Sequence, residues 1–127
     1  MRFFFDNNLS VDLVRGMRAF GEKVDHLQDH FPEDAPDVEW LEYIGTNEFF
    51  LVTRDHNIRK NPAEKAALRE FGVGVFFLGG KSRNRCELIQ QLVRNWPRIK
   101  EHSSKTRKPF AFRIPPTGTK FEPIPLG

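Results

Sequence analysis

Cysteine is almost absent from this chain, and long apolar segments are absent altogether. The single cysteine among 127 residues, Cys86, excludes a disulfide within the chain. No apolar run approaches the ~20 residues that a membrane-spanning helix requires, and the N-terminus lacks the basic, apolar and small-residue regions of a secretory signal. We therefore expect a cytoplasmic protein with no membrane partner.

Two kinds of ligand-binding motif are missing as well. The sequence has no glycine-rich loop of the Walker or dinucleotide-binding type. Its four histidines have no zinc-like spacing to one another or to Cys86. These absences argue against a nucleotide-binding enzyme and against a zinc protein.

Material for a hydrophobic core is abundant. Phenylalanine accounts for 13 residues, hydrophobic residues for 39% of the chain and charged residues for 29%. This balance argues against disorder and against a membrane protein. A chain of 127 residues is long enough for one domain with a real core and too short for two ordinary ones.

The charges are divided unevenly along the chain. Residues 1–50 contain 4 Lys/Arg against 11 Asp/Glu, whereas residues 81–113 contain 10 Lys/Arg against 2 Asp/Glu. A basic segment of this kind suits a phosphate backbone, and it is equally typical of a solvated helix face followed by a basic tail. The acidic half is more informative, since some of its carboxylates lie where a solvated face would not place them.

Two apolar runs of strand length each lead to an aspartate. Residues 3–5 precede Asp6, and residues 49–54 precede Asp55. Continuous apolar runs are typical of parallel strands that helices cover on both faces, and ligands of such sheets bind at the carboxyl ends of the strands. If the two strands are parallel neighbours, the two carboxylates share one edge of the sheet.

Strand-length runs alternate with segments of helical periodicity through most of the chain. This alternation predicts an α/β fold, with a single-domain and mainly parallel sheet flanked by helices. We place this domain at residues 1–102. Its last helix is expected at residues 82–102, with a kink or an end at Pro97 and with an apolar face formed by Cys86, Ile89, Leu92, Val93 and Trp96. Residues 103–127 follow as a basic linker and a proline-rich segment, which adds an edge strand, a hairpin or an extended tail.

The helix expected at about residues 35–46 contains a third carboxylate. With Asp34 as its cap, the residues Asp37, Trp40 and Ile44 fall on one face. The spacing places Asp37 on the stripe that faces the sheet. A carboxylate in the first turn also complements the helix dipole without any further function.

Asp6, Asp37 and Asp55 would then meet at one edge of the sheet. Three crowded carboxylates repel one another unless a cation neutralises them. Mg²⁺ or Mn²⁺ prefers oxygen ligands and completes its shell with water and substrate phosphates. Since a bound metal can activate water for attack on a phosphodiester, the predicted chemistry is metal-assisted phosphodiester hydrolysis.

The same segments resemble the PIN-like nucleases. The resemblance rests on residues 3–6, on residues 36–40 at a helix start and on residues 51–55, and it points to the short PIN-like branch related to VapC-type toxins. It spans roughly residues 1–80. It implies a parallel α/β sandwich that uses Mg²⁺ or Mn²⁺ to cleave RNA, often as the toxin of a toxin–antitoxin pair.

The resemblance also implies roles for individual residues. Asp6, Asp37 and Asp55 match the catalytic and metal-binding carboxylates, and Glu39 is the alternative in the helix motif. Many PIN nucleases have a fourth acidic residue after the last strand-end aspartate, where this chain has His56 followed by an asparagine. This departure favours one metal ion over two, or a lower occupancy.

Polar and basic residues flank the proposed edge. We expect them to bind substrate, although exposed loop cations are also common without any ligand. These residues are Arg54, Asn57, Arg59 and Lys60.

Two other functions fit parts of the pattern. A response-regulator receiver also has aspartates at strand ends, but it needs an acidic pair where this chain has Asp6 and Asn7. A non-catalytic PIN-like module that binds RNA or protein through the basic half is the second, and the missing fourth carboxylate favours it. Besides RNA, an antitoxin protein and a second copy of this chain remain open as partners.

Overall fold

A computed structural model describes residues 1–54, 60–81 and 84–127. Within these residues the chain forms six strands and the helices between them. The strands are β1 (Arg2–Phe5), β2 (Val24–His26), β3 (Phe49–Thr53), β4 (Gly74–Leu78), β5 (Phe110–Ile114) and β6 (Glu122–Pro123). The helices are α1 (Val11–Ala19), α2 (Asp37–Thr46), α3 (Pro62–Glu70) and α4 (Arg85–Lys105), with a 3₁₀ turn at Leu27–Asp29. The predicted α/β fold is confirmed.

The strands form one sheet in the order β2-β1-β3-β4-β5-β6. Neighbours from β2 to β5 are parallel, and only β6 pairs in the antiparallel sense. The proline-rich segment therefore extends the sheet by a parallel strand and a short returning strand. All five parallel strands end at the same side of the sheet, which we call the carboxyl edge.

Side chains alternate between two covered faces of the sheet. Phe3 and Phe5 pack with α1 and α4 in one apolar cluster, and we call this side the Phe3 face. Phe4 packs with α2 and α3 in the second cluster, on what we call the Phe4 face. Because helices cover both faces, the central strands are buried along their whole length.

The crossover through α4 has a different hand from the crossovers through α2 and α3. From β2 to β3 and from β3 to β4 the chain moves across the sheet in one direction through the Phe4 face. From β4 to β5 it moves in the same direction through the Phe3 face. Crossovers between parallel strands are almost always right-handed, whereas this sheet contains crossovers of both hands. The α4 crossover places the Trp96 ring on the Phe3 face, with its centroid 4.6 Å from the centroid of the Phe3 ring.

The helix starts follow the capping residues in the sequence, with one exception. Ser10, Asn61 and Asn84 accept backbone N–H groups at the starts of α1, α3 and α4. The cap predicted for α2, Asp34, is wrong: the helix begins at Asp37 after Pro36, without a side-chain cap. Proline fixes its own φ near the helical value, so it suits the position before the first turn.

The apolar face predicted for α4 is partly wrong. Ile89 and Val93 are exposed, at 47% and 64%, and Cys86 is exposed as well. The buried side includes two amides, Gln91 and Asn95. Apolar periodicity alone misassigned this face, because two polar side chains occupy core positions.

The helix α4 is also longer than predicted. It continues past Pro97 to Lys105, so the expected linker at residue 103 begins within the helix. The division into a domain at residues 1–102 and a C-terminal segment at residues 103–127 stays a prediction. Strand β5 of that segment pairs with β4 in the same sheet. Within the described parts of the chain, no helix is both long enough and apolar enough to span a membrane.

A charged network joins β2 to α1. The Arg18 guanidinium donates to Asp29 (2.5 Å from Nη2 to Oδ2) and to Asp25 (3.4 Å), and Asp29 also accepts the His26 backbone N–H at 2.8 Å. Burial opposes the ionisation of Asp29. The hydrogen bonds from the His26 backbone and from Arg18 outweigh the effect of burial and lower the pKa of Asp29 below its ordinary value of 3.8.

This lowered pKa predicts a pH-dependent contribution to stability. Asp29→Asn should reduce the free energy of unfolding at pH 7, because a neutral amide does not attract Arg18. A carboxyl group with a depressed folded-state pKa stabilises the fold above its unfolded pKa, and the effect disappears as the pH falls through the folded value. Urea unfolding should therefore show the wild type and the variant converging in acid below pH 3.8. If the difference in the free energy of unfolding between the two proteins stayed constant from pH 7 to below pH 3.8, the role assigned to Asp29 would be contradicted.

Candidate functional site

The topological switch point of the sheet lies where the chain changes direction across it. From β1 the chain first moves to β2 on one side and then returns past β1 to β3 on the other. The connections on the two sides diverge at the carboxyl ends of β1 and β3, which is where open α/β sheets bind their ligands. The expectation that β1 and β3 are parallel neighbours is confirmed, with Phe5 opposite Val52.

Asp6 follows β1 at this point and is only 2% exposed. Its Oδ2 accepts the hydroxyl of Thr53, the last residue of β3, and its Oδ1 accepts the Asn8 backbone N–H at 3.1 Å. Because Phe5 pairs with Val52, the next residues on the two strands face each other. The parallel register thus fixes a buried carboxylate at the switch point.

Asn7 connects the end of β1 to the segment that leads into α2. Its Nδ2 donates to the Glu33 carbonyl at 2.7 Å, and its Oδ1 accepts the Gln28 side-chain amide at 3.0 Å. These bonds span more than twenty residues of chain. They hold the loop before α2 against the same edge that carries Asp6.

Asp37 is the first residue of α2 and is half-buried. Since α2 follows β2 and precedes the parallel β3, it begins at the carboxyl edge. Its Oδ1 accepts the Trp40 indole N–H at 3.2 Å, and the Trp40 ring stacks on Phe4 with the centroids 6.1 Å apart. Asp37 therefore occupies the sheet side of the helix, whereas Glu39 is exposed.

Asp6 and Thr53 lie on the Phe4 face, as Asp37 does. Side chains two residues apart on a strand share a face, so Thr53 follows Leu51 of the Phe4-face cluster and Asp6 follows Phe4. Asp6 and Asp37 are thus brought to the same edge and the same face of the sheet. Their carboxylates have separate hydrogen-bond partners.

The remaining predicted site residues divide into two groups. Arg54 directly follows β3 and is half-buried, and Lys60 is exposed before α3. Only Arg54 is thereby placed at the carboxyl end of β3. The predictions for Asp55, Asn57 and Arg59 fall outside the described residues.

The donor chemistry of the site fits a hard divalent cation. Asp6 and Asp37 offer carboxylate oxygens, which Mg²⁺ and Mn²⁺ prefer, and Mg²⁺ is commonly held by only one or two carboxylates. Among residues 1–54, 60–81 and 84–127, no three His, Cys, Asp or Glu side chains lie close enough to hold a metal by themselves. A third carboxylate ligand would have to come from outside these ranges, where Asp55 lies.

Sequence reasoning missed the positioning role of Thr53. Its hydroxyl is fully buried and donates to Asp6 across the switch point. A polar residue at the end of an otherwise apolar strand was visible in the sequence. The register that places it opposite Asp6 was not, because no local pattern specifies how two distant strands align.

Comparison with known proteins supports a single family. A family model described as a PIN-like domain matches residues 1–80. No curated protein and no solved structure matches the chain. The matched residues include β1 to β4 and the switch point with Asp6 and Asp37. The chain therefore belongs to the PIN-like domain family.

Proposed function

We propose that this protein is a ribonuclease that depends on Mg²⁺ or Mn²⁺ and hydrolyses RNA phosphodiesters. PIN-like domains are generally nucleases, which supports the nuclease class. Asp6, Asp37 and Asp55 are the proposed metal ligands and catalytic residues, with Glu39 as the alternative to Asp37. The bound metal would polarise the phosphodiester and lower the pKa of an attacking water.

The observation that carries the proposal is the burial of Asp6 at the switch point. A buried carboxylate is costly unless hydrogen bonds or a cation compensate it. Thr53 and the Asn8 N–H hold it in one orientation, which is the preorganisation that a metal ligand needs. An Asp at a loop surface would be free to turn to solvent and would support the proposal less well.

The neighbouring cations have a separate role in the proposal. Arg54, at the carboxyl end of β3, and Lys60, before α3, would bind the phosphates of the RNA, together with Asn57 and Arg59. Contacts to phosphate position the strand without reading its bases. Cleavage with little base preference is the expected consequence.

Analysis of the RNA ends tests the reaction itself. Attack by water on phosphorus, with the 3′ oxygen leaving, yields a 5′-phosphate and a 3′-hydroxyl. An attack by the 2′-hydroxyl would instead yield a 2′,3′-cyclic phosphate. We expect cleavage with Mn²⁺, none with excess EDTA, and unchanged cleavage of a strand with 2′-deoxy nucleotides at the cleaved position. Cyclic phosphate ends, or full activity in EDTA, would exclude the proposed chemistry.

Removal of the Thr53 hydroxyl tests the positioning of Asp6. Thr53→Val keeps the β-branched shape that suits a buried strand but cannot donate to Asp6. The loss of a hydrogen bond that orients a metal ligand commonly costs about 10- to 100-fold in affinity or activity. We expect a decrease of that size in the RNA cleavage rate at fixed Mn²⁺, partly restored at higher Mn²⁺. Thr53→Ser, which retains the hydroxyl, is the control and should keep most of the activity.

A non-catalytic module is the second candidate. The observation that favours it is that the described carboxylates alone form no group of three. Such a module would bind RNA through its basic half and leave it intact. RNA binding by anisotropy together with unchanged RNA length in Mn²⁺ would establish this alternative.

The toxin role is a further proposal within the same function. A ribonuclease of this kind would arrest growth when expressed without an antitoxin protein. We expect growth arrest on induction of the wild type and normal growth with Asp6→Asn. Equal growth with both, at equal protein levels, would contradict the toxin role while leaving the cleavage test unaffected.

A further inference from the structure

Arg113 lies at the same edge and on the same face of the sheet as Asp6. It is the fourth residue of β5, opposite Phe77 of β4, close to the carboxyl end of both strands. Two residues earlier on β5, Ala111 belongs to the Phe4-face cluster, so the alternation places Arg113 on that face. The carboxyl edge of the Phe4 face therefore extends from Asp6 across β3 and β4 to this arginine.

The Arg113 guanidinium packs against the peptide of Gly79, just after β4. A Cβ at Gly79 would lie 2.8 Å from Arg113 Cζ and 2.8 Å from the Ile114 carbonyl oxygen. Such distances are too short, so the absence of a side chain at Gly79 leaves the space that the guanidinium occupies. The Arg113 side chain is 31% exposed, and its ion pair with Glu122 is long, at 3.8 Å, to a carboxylate that is 72% exposed.

A buried amide fixes the backbone on which Arg113 rests. Gln91 of α4 is fully buried, and its Nε2 lies 2.9 Å from the Gly79 carbonyl, 3.2 Å from that of Ile114 and 3.0 Å from that of Pro115. It thus joins the ends of β4 and β5. Arg113 is held by a rigid edge instead of a free loop, which reduces the entropy lost when its guanidinium binds a ligand.

The position of Arg113 suits a phosphate of an RNA strand that lies along the carboxyl edge. Adjacent strands are about 4.8 Å apart, so β4, whose end the guanidinium contacts, lies about 10 Å from β1 and about 5 Å from β3 in the sheet. A guanidinium binds phosphate by two parallel N–H donors. An RNA strand lying along the edge would pass both Asp6 and Arg113.

We propose that Arg113 binds a backbone phosphate of the RNA strand whose cleavage was proposed above, and the inference rests on that function. The residue lies in β5, beyond residues 1–80 that the family model matches. The proline-rich extension would thus be part of the substrate-binding surface as well as of the sheet. Glu122 competes with the phosphate for the same guanidinium.

The test is a binding measurement on the full chain, in the Asp6→Asn background so that the RNA stays intact. The probe is a labelled single-stranded RNA of mixed sequence, followed by anisotropy across a salt series. Arg113→Gln should weaken binding about 10- to 150-fold, as expected for the loss of a charged hydrogen-bonded contact. It should also reduce the slope of log affinity against log salt by about 0.7, the value for one lost phosphate contact on a single strand.

Two further variants make the test specific. Lys23, exposed just before β2, lies at the opposite edge of the sheet and outside the basic residues 81–113, so Lys23→Gln is the control and should leave the affinity and the slope unchanged. Glu122→Gln should strengthen binding about 2- to 3-fold, because an exposed ion pair of modest strength no longer holds Arg113. Thermal unfolding of each variant verifies the fold.

The possible results separate this inference from the proposed function. An unchanged affinity and slope in a folded Arg113→Gln variant would overturn the inference. Equal losses in Lys23→Gln, or no binding of RNA by the background variant, would overturn it as well. If the wild type binds RNA but does not cleave it, the ribonuclease proposal fails. A lower salt slope for Arg113→Gln would then still support the phosphate contact.

Discussion

Asp6→Asn is expected to abolish RNA cleavage while the protein stays folded. Asp6 is buried at the point where β1 and β3 diverge, and its negative charge is what the proposed cation requires. Removal of one preorganised electrostatic group from an active site typically lowers the rate by about 10²- to 10³-fold. A single-turnover cleavage rate at saturating Mn²⁺ measures the loss.

The fold should tolerate this substitution because asparagine has the same shape. Its carbonyl oxygen can accept the Asn8 N–H, and its amide can donate to the Thr53 hydroxyl, which both donates and accepts. The change also removes a charge from a buried position, where it is costly. We expect the free energy of unfolding to change by no more than about 1 kcal/mol.

Asp12→Asn is the matched control for this loss. Asp12 lies in the first turn of α1, its side chain is 69% exposed, and it pairs with Arg15 at 3.4 Å on the surface. Its replacement should leave the cleavage rate at the wild-type value. Full activity in a folded Asp6→Asn variant would show that Asp6 is structural only.

Phe76→Ala is expected to cause the largest loss of stability. Phe76 lies on β4, is fully buried, and contacts three rings of the C-terminal segment, those of Phe110, Phe112 and Phe121, with centroids 5.4 to 6.1 Å away. Truncation of a buried phenylalanine costs about 3–5 kcal/mol through lost apolar contact and a cavity. Since small domains have only about 5–15 kcal/mol of stability, the urea midpoint should fall steeply.

A surface valine provides the control for Phe76→Ala. Val93 on α4 is 64% exposed, so Val93→Ala should change the free energy of unfolding by about 0.5 kcal/mol or less. A loss below about 1 kcal/mol for Phe76→Ala would mean that the C-terminal segment does not pack on β4 as described. The same result would argue that residues 103–127 are a separate tail.

The sheet and half of the candidate site are predictable from the sequence because their signals are local. The apolar runs that form buried strands can be recognised from the sequence alone, and a polar residue after such a run marks the end of the strand. This pattern alone predicts Asp6 at a strand end, and the spacing to Trp40 predicts Asp37 on the inner side of a helix. Both placements are confirmed.

The remainder depends on contacts between distant segments. The bond between Thr53 and Asp6 requires the register of β1 against β3, and the role of Gln91 requires the ends of β4 and β5 to meet beside it. The exposed Ile89 and Val93 show the same limit, since hydrophobicity did not reveal which side of α4 meets the sheet. Contacts between distant segments supply the partners of the Thr53 hydroxyl and of the Gln91 Nε2, and local sequence does not encode those contacts.

The most direct test of the proposed metal-dependent ribonuclease is the rate of RNA cleavage as Mn²⁺ is titrated, in the wild type and in Asp55→Asn. If the carboxylates hold the metal that the reaction needs, the wild-type rate rises with Mn²⁺ to a plateau and falls to zero in EDTA. Asp55→Asn should then show at most about one hundredth of that plateau. Equal rates for the two proteins, or cleavage that ignores Mn²⁺ and EDTA, would contradict the metal-dependent site.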